Sequence, residues 1–170
     1  VANLSSHKPG WDERWEEFSN WAEKGQALKD ELLYLVDEDT ASFNKIMDAF
    51  SLPKSTDAEK EVRTNAIQEA TKYATEVPFR TMQKAYDSME LLKAMTITGN
   101  PNSVTDAGVG ALCARTAVIG AFLNVKINAS GLTDKKFVND IIAKGKDIEE
   151  KTKLLESEIL AIVEEKIKCN

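Results

Sequence analysis

The 170-residue chain sets 22 Lys and Arg against 28 Asp and Glu, a formal charge of -6, with 42% hydrophobic and 29% charged residues. A chain of this size and balance is expected to bury one full core without disulfides or a structural metal. The acidic excess and the lack of a basic run interleaved with aromatics point away from nucleic acid. Uncharged stretches such as Thr116 to Val125 are shorter than the ~20 apolar residues of a membrane-spanning helix, so no membrane partner is expected.

Two cysteines, Cys113 and Cys169, stand far apart and read as inert thiols of a cytoplasmic protein. The opening Val1 to Lys8 lacks an initiator Met and a signal-peptide pattern, as though the beginning of the chain had been removed. No repeat or linker divides residues 1–170, so a single domain is expected.

Helical periodicity dominates, and the fold class it predicts is all-α: a bundle of long helices around a buried helix rich in small residues. From Trp11 a stripe runs through Trp15, Phe18, Ala22, Gly25, Leu28, Leu32 and Leu35, then resumes at Phe43, Ile46 and Phe50. A straight helix of that span would be about 60 Å long, so it is expected either to break or bend near Gly25 or to run out into a partner. Ser51 to Ser55 forms a loop, and Thr56 with Glu59 matches a capping box that opens a second helix. Pro78 is expected to kink or break that helix, which then runs to Gly99-Asn100-Pro101. Ser103 with Asp106 resembles another cap, opening a third helix to Ile127 that is apolar nearly all round and therefore expected at the centre. Thr133 is the expected cap of the last helix, whose stripe is Phe137, Ile141, Ile148, Leu155, Ile159 and Ile162.

One His and two distant Cys cannot build an N/S metal site, and a catalytic triad would have to rely on His7. Attention passes to polar groups in apolar places. Asp39 falls four residues after Leu35 and four before Phe43, where the stripe calls for an apolar side chain. Desolvation there would raise its pKa and suit it to take and give a proton; the alternative is a structural acid paired with Arg115. Asp37 and Glu38, on other faces of the turn, read as solvated. Asn124 and Asn128 lie four apart on one face of the apolar third helix, either bonded to neighbouring backbone or reading a heteroaromatic ligand. Asp106 reads as a first-turn acid or a binding group. Trp11, Trp15 and Trp21 read as packing or a subunit interface.

Leu35-Val36-Asp37-Glu38-Asp39-Thr40-Ala41-Ser42-Phe43, Leu52-Pro53-Lys54, Val77-Pro78, Gly99-Asn100 to Ser103 and Asp106, Gly120 to Asn128, and Leu132-Thr133-Asp134 occur in order over nearly the whole chain. Together they closely resemble the cyclodeaminase domain of formimidoyltransferase-cyclodeaminase, a family that also includes methenyltetrahydrofolate cyclohydrolases. The resemblance implies a helical enzyme that dimerises and assembles further, acting in histidine degradation. It would use a tetrahydrofolate derivative as substrate and no metal, turning 5-formimidoyltetrahydrofolate into 5,10-methenyltetrahydrofolate and ammonia. Asp39 takes the place of the family's catalytic acid. Lys54 becomes the candidate for a folate glutamate carboxylate, and Asn124 and Asn128 for pterin or formimidoyl contacts. Asn100, Ser103 and Asp106 join them as binding candidates. Members carry an earlier helix opening on a Pro-Gly-Gly-Gly-Ser type motif that has no counterpart here, in keeping with an N-terminally truncated chain. A cyclohydrolase and a catalytically silent helical assembly protein stand as alternatives.

Overall fold

The computed structural model describes residues 1–5 and 12–168; His7, Trp11 and Cys169 lie outside the described residues. The described residues form α1 (Ala2–Ser5), a 3-10 turn at Asp12–Arg14, α2 (Trp15–Ser51), α3 (Asp57–Thr98), a 3-10 turn at Pro101–Ser103, α4 (Val104–Ser130) and α5 (Lys135–Lys168), with no strand among them. The all-α expectation holds.

Glu16 and Glu17 place negative charge in the first turn of α2, where four amides point outward. The helix then runs unbroken through Gly25, so of those alternatives the break does not occur. Close packing is what this glycine serves: a Cβ there would sit 3.0 Å from Leu91 Cδ1 of α3. The expected capping box opens α3, with the Glu59 N–H donating to Thr56 Oγ1 at 3.2 Å and the Thr56 N–H to Glu59 Oε2 at 2.8 Å. The Thr56 N–H, and then the Ser55 N–H at 2.7 Å from Glu59 Oε2, hold the Glu59 carboxyl below its ordinary pKa.

Helix α3 also runs on through Pro78. Proline has no N–H to give the carbonyl four residues back, that of Ala74. The Asn128 side-chain amide of α4 donates to that carbonyl at 2.8 Å, so a neighbouring helix makes the bond that α3 cannot. At the start of α5 the cap is Asp134 instead of Thr133: the Phe137 N–H donates to Asp134 Oδ1 at 3.0 Å, while Thr133 bonds Gln68 Oε1 through its amide. Ser103 does hold the N-cap position of α4, but its hydroxyl makes no capping bond.

Helix α3 touches α2, α4 and α5, and α4 packs on α5 as well. Between α3, α4 and α5 lie Met82, Val118, Phe122, Val125 and Ile141, followed by Met89, Val104, Ala111, Ile159 and Val163. Phe18, Met95 and Ala107 form a third cluster near the chain start. Helix α4 buries its inner face through small residues, but Val109, Leu112, Leu123 and Ile127 stay exposed on the outside. The stretch Pro101–Ser130 is long and apolar enough to cross a membrane by length and composition, which the count of uncharged residues missed; its inner face packs on α3 and α5.

The antiparallel pair α2 and α3 is cross-linked by Lys24 to Glu90, Glu31 to Lys84, and Phe50 O to Arg63. Gln68 Nε2 reaches Gly131 O just past the end of α4. Residues 57–67 of α3 and the facing end of α2 therefore project beyond the three-helix body as an arm about 16 Å long.

Candidate active site

Where α2 and α4 flank α3, a cavity of about 480 Å³ opens between them, within the size range of small-molecule sites. Leu32, Leu35, Val36 and Ala121 give it aliphatic walls; Asp39, Thr40, Thr81 and Asn124 give it polar groups. The carboxylate and one of the two paired asparagines thus meet, although 85 residues separate them in the chain.

Asp39 is not desolvated in the single chain: it is exposed. The inward positions of α2 after Leu35 are Ser42 and Ala49, seven and fourteen residues on, while Phe43 and Phe50 face outward. Asp39 lies between the inward and outward faces, at the lip of the cavity. Nor does it pair with Arg115, whose guanidinium binds the buried Glu156 of α5. Glu38 is the acid of this segment that packs down: its side chain is 12% exposed and meets Arg80 at 3.4 Å. A hydrogen bond from the Tyr34 hydroxyl, then the Arg80 guanidinium, hold its carboxyl below the ordinary range.

Asn124 is exposed, its amide only 3.4 Å from Gly120 O one turn back, which leaves it open to other partners. Asn128 is half-buried, is not part of the cavity wall, and spends its amide on Ala74 O. Lys54 is exposed in the loop at the tip of the arm, with about 18 Å of helix between Asp39 and that loop. Asn100, Ser103 and Asp106 lie at the opposite end, since Asp106 and Asn124 are separated by about 27 Å along α4. Asn100 is buried in a turn, accepting from the Asn102 N–H at 3.1 Å and donating its own N–H to Ser5 Oγ at 2.8 Å. Asp106 borders a separate cavity with Trp21 and Gly25. Of the seven sequence candidates, Asp39 and Asn124 therefore share the cavity and the other five lie outside it.

Thr81 is the pocket group that sequence reasoning missed; its place one turn after Pro78 was the available signal. A larger depression of about 680 Å³ lies among α2, α3 and α5, but its Lys24, Glu31, Glu90 and Lys93 are engaged in ion pairs. No three His, Cys, Asp or Glu side chains gather as a metal site among the described residues.

Comparison with known proteins bears on this geometry. A methenyltetrahydrofolate cyclohydrolase of Methylorubrum extorquens is 36% identical over 140 residues, 82% of this chain and 67% of that protein. A formimidoyltransferase-cyclodeaminase of Gallus gallus is 36% identical over 137 residues, 81% of this chain but only 25% of that protein. The crystal structure of a formiminotetrahydrofolate cyclodeaminase from Thermotoga maritima superposes with a TM-score of 0.84 over 98% of this chain and 79% of that one; at 23% identity this likeness establishes the fold. Residues 1–147 match the formiminotransferase-cyclodeaminase family description. With that match and the cyclohydrolase relative, the chain belongs to the formiminotransferase-cyclodeaminase family of folate-processing enzymes.

Proposed function

We propose that the chain catalyses the conversion of 5-formimidoyltetrahydrofolate to 5,10-methenyltetrahydrofolate with release of ammonia, Asp39 serving as general base and then general acid. The observation that carries this reading is the meeting of Asp39 with Thr81 and Asn124 in one cavity of about 480 Å³. N10 of the folate attacks the formimidoyl carbon and a tetrahedral centre forms. Asp39 takes the proton from N10 and returns it to the departing nitrogen, which leaves as ammonia when the C–N bond breaks. Asn124 and the Thr81 hydroxyl supply donors and acceptors for a heteroaromatic ring, and Leu32, Leu35 and Val36 give it an apolar wall.

A second reading, hydrolysis of the methenyl compound by a water activated at the same carboxylate, is favoured by the identity to the Methylorubrum extorquens cyclohydrolase. Ultraviolet absorbance of the methenyl chromophore separates the two, with reactions started from each compound. Chromophore growth with ammonia release from the formimidoyl substrate is the expected result. Accelerated loss from the methenyl compound alone would establish the hydrolase, and silence in both would refute catalysis by this cavity.

A further inference from the structure

Little of the core holds α2 at the level of Asp39. Of the three buried clusters among the described residues, only the one near the chain start includes residues of α2, Phe18 and Trp21. Further along, the inward side chains of α2 are Leu35 and then the small Ser42 and Ala49, which offer a facing helix little to interlock with. The register is carried instead along one edge of the α2 and α3 pair, by Lys24, Glu31, Glu38 and Lys45, each two helical turns after the last. In that order they meet Glu90, Lys84, Arg80 and the ring of Tyr73 on α3.

Glu38 is the rung drawn out of water. Its side chain is 12% exposed, against 51% for Glu31 and 44% for Lys24. Exposed pairs constrain a helix weakly, whereas a carboxylate withdrawn from water is held to the place where its donors are. Here those donors are the Tyr34 hydroxyl, one turn back on α2, and the Arg80 guanidinium of α3 at 3.4 Å. Arg80 also approaches the Tyr73 ring at 6.0 Å, so carboxylate and ring both restrict its guanidinium.

Glu38 immediately precedes Asp39, and Arg80 immediately precedes Thr81. Consecutive residues point about 100° apart round a helix, so Asp39 and Thr81 line the cavity while the ion pair lies outside it. We infer that Glu38 and Arg80 are positioning residues: their pairing sets the turn and register of α2 against α3 where Asp39 and Thr81 face one cavity. A group about 6 Å from a helix axis moves about 1 Å when the helix turns by about 10°, and misplacement by about 1 Å can cost about 100-fold in a positioned reaction. The effect on turnover rests on the role proposed for Asp39; the hold on α2 does not.

Turnover of whichever folate compound the parent chain uses, and the spacing of the cavity walls, test the pair separately. Glu38→Ala and Arg80→Ala are each expected to lower kcat about 30- to 100-fold, with KM within about threefold of the parent and undiminished helical circular dichroism. The double variant is expected to fall within about threefold of the slower single one, because two partners of one latch act as a unit. Glu31→Ala, which breaks the neighbouring rung to Lys84, is expected to leave kcat within about threefold of the parent. For the spacing, nitroxides on Asp39→Cys and Thr81→Cys in a Cys113→Ser, Cys169→Ser background are expected to broaden each other's electron paramagnetic resonance spectrum. Glu38→Ala is expected to change that broadening and Glu31→Ala to leave it as it was. Single variants with parental kcat, losses that multiply in the double variant, an equal loss in Glu31→Ala, or broadening that Glu38→Ala does not alter would each overturn the proposal. A parent chain that turns over neither compound refutes the catalytic reading of the cavity, and the nitroxide spectra then decide the hold of the pair by themselves.

Discussion

Removing the Asn128 side chain offers a direct test of how α3 survives its internal proline. Ala74 is 4% exposed, so its carbonyl has little access to water if the amide that meets it at 2.8 Å is taken away. A buried acceptor left without a partner costs about 1–3 kcal/mol, and Asn128→Ala is expected to lower stability by about 2 kcal/mol. Pro78→Ala restores an N–H at the position from which an ordinary helix would serve the Ala74 carbonyl. In that background Asn128→Ala is expected to cost less than about 1 kcal/mol, giving a coupling of about 1–2 kcal/mol between two positions 50 residues apart. Urea unfolding followed by circular dichroism measures all four corners of the cycle, at one protein concentration so that association contributes equally. A cost below about 0.5 kcal/mol in the parent, or the same cost in both backgrounds, would refute the reasoning.

Three further outcomes are expected. Gly145→Ala would push a methyl group into the fully buried Phe122 ring at the contact of α4 and α5, and overpacking of this kind lowers stability by about 1–3 kcal/mol in denaturant melts. Asp134→Ala removes the cap of α5. The Phe137 N–H first, and Lys72 second, hold the Asp134 carboxyl below its ordinary 3.8, so its stabilisation is present above that pH and lost as pH falls through the lower folded value. The stability curves of parent and variant should therefore separate at neutral pH and converge in acid. Asp39→Asn should retain the parent melting temperature within about 2 °C, because an exposed side chain contributes little to folding, yet lose a hundredfold or more in turnover; parental turnover would remove Asp39 from the mechanism.

How far the sequence could be read depended on the distance between cause and effect. Thr56 and Glu59 are three residues apart and make their capping box without help, so the start of α3 was legible. Asp39 was found because it interrupts a stripe, but the stripe merged two faces of α2. Phe18 and Leu35 look inward, whereas Phe43 and Phe50 look outward, because each step of four residues drifts about 40° round the helix and the two steps from Leu35 to Phe43 add up to about 80°. The exposure of Asp39 was therefore misread. Glu38 was placed in solvent because Arg80, its partner, stands 42 residues away on α3. The Arg115 and Glu156 pair, and the service of Asn128 to Ala74, are likewise properties of helices meeting, and no local pattern announces them. Asn124 and Asn128 look equivalent in the chain; one turn of helix puts the first at a cavity and the second against a neighbour's backbone.

The repair at Pro78 also bears on the order in which the chain can acquire its shape. Until residue 128 has been synthesised and α4 has settled, the Ala74 carbonyl lacks its protein partner, and α3 is two helical halves joined at a weak point. Its continuity belongs to the assembled bundle, not to its own 42 residues. During synthesis from the N-terminus, the α2 and α3 hairpin can pair first and flex at its middle. The arrival of α4 then supplies the missing bond to Ala74 and, with the same helix, the second wall of the cavity at Asp39. A nascent chain halted before Asn128 should accordingly show selective proteolysis or fast amide exchange around Ala74 to Pro78, and lose both once the fourth helix is complete.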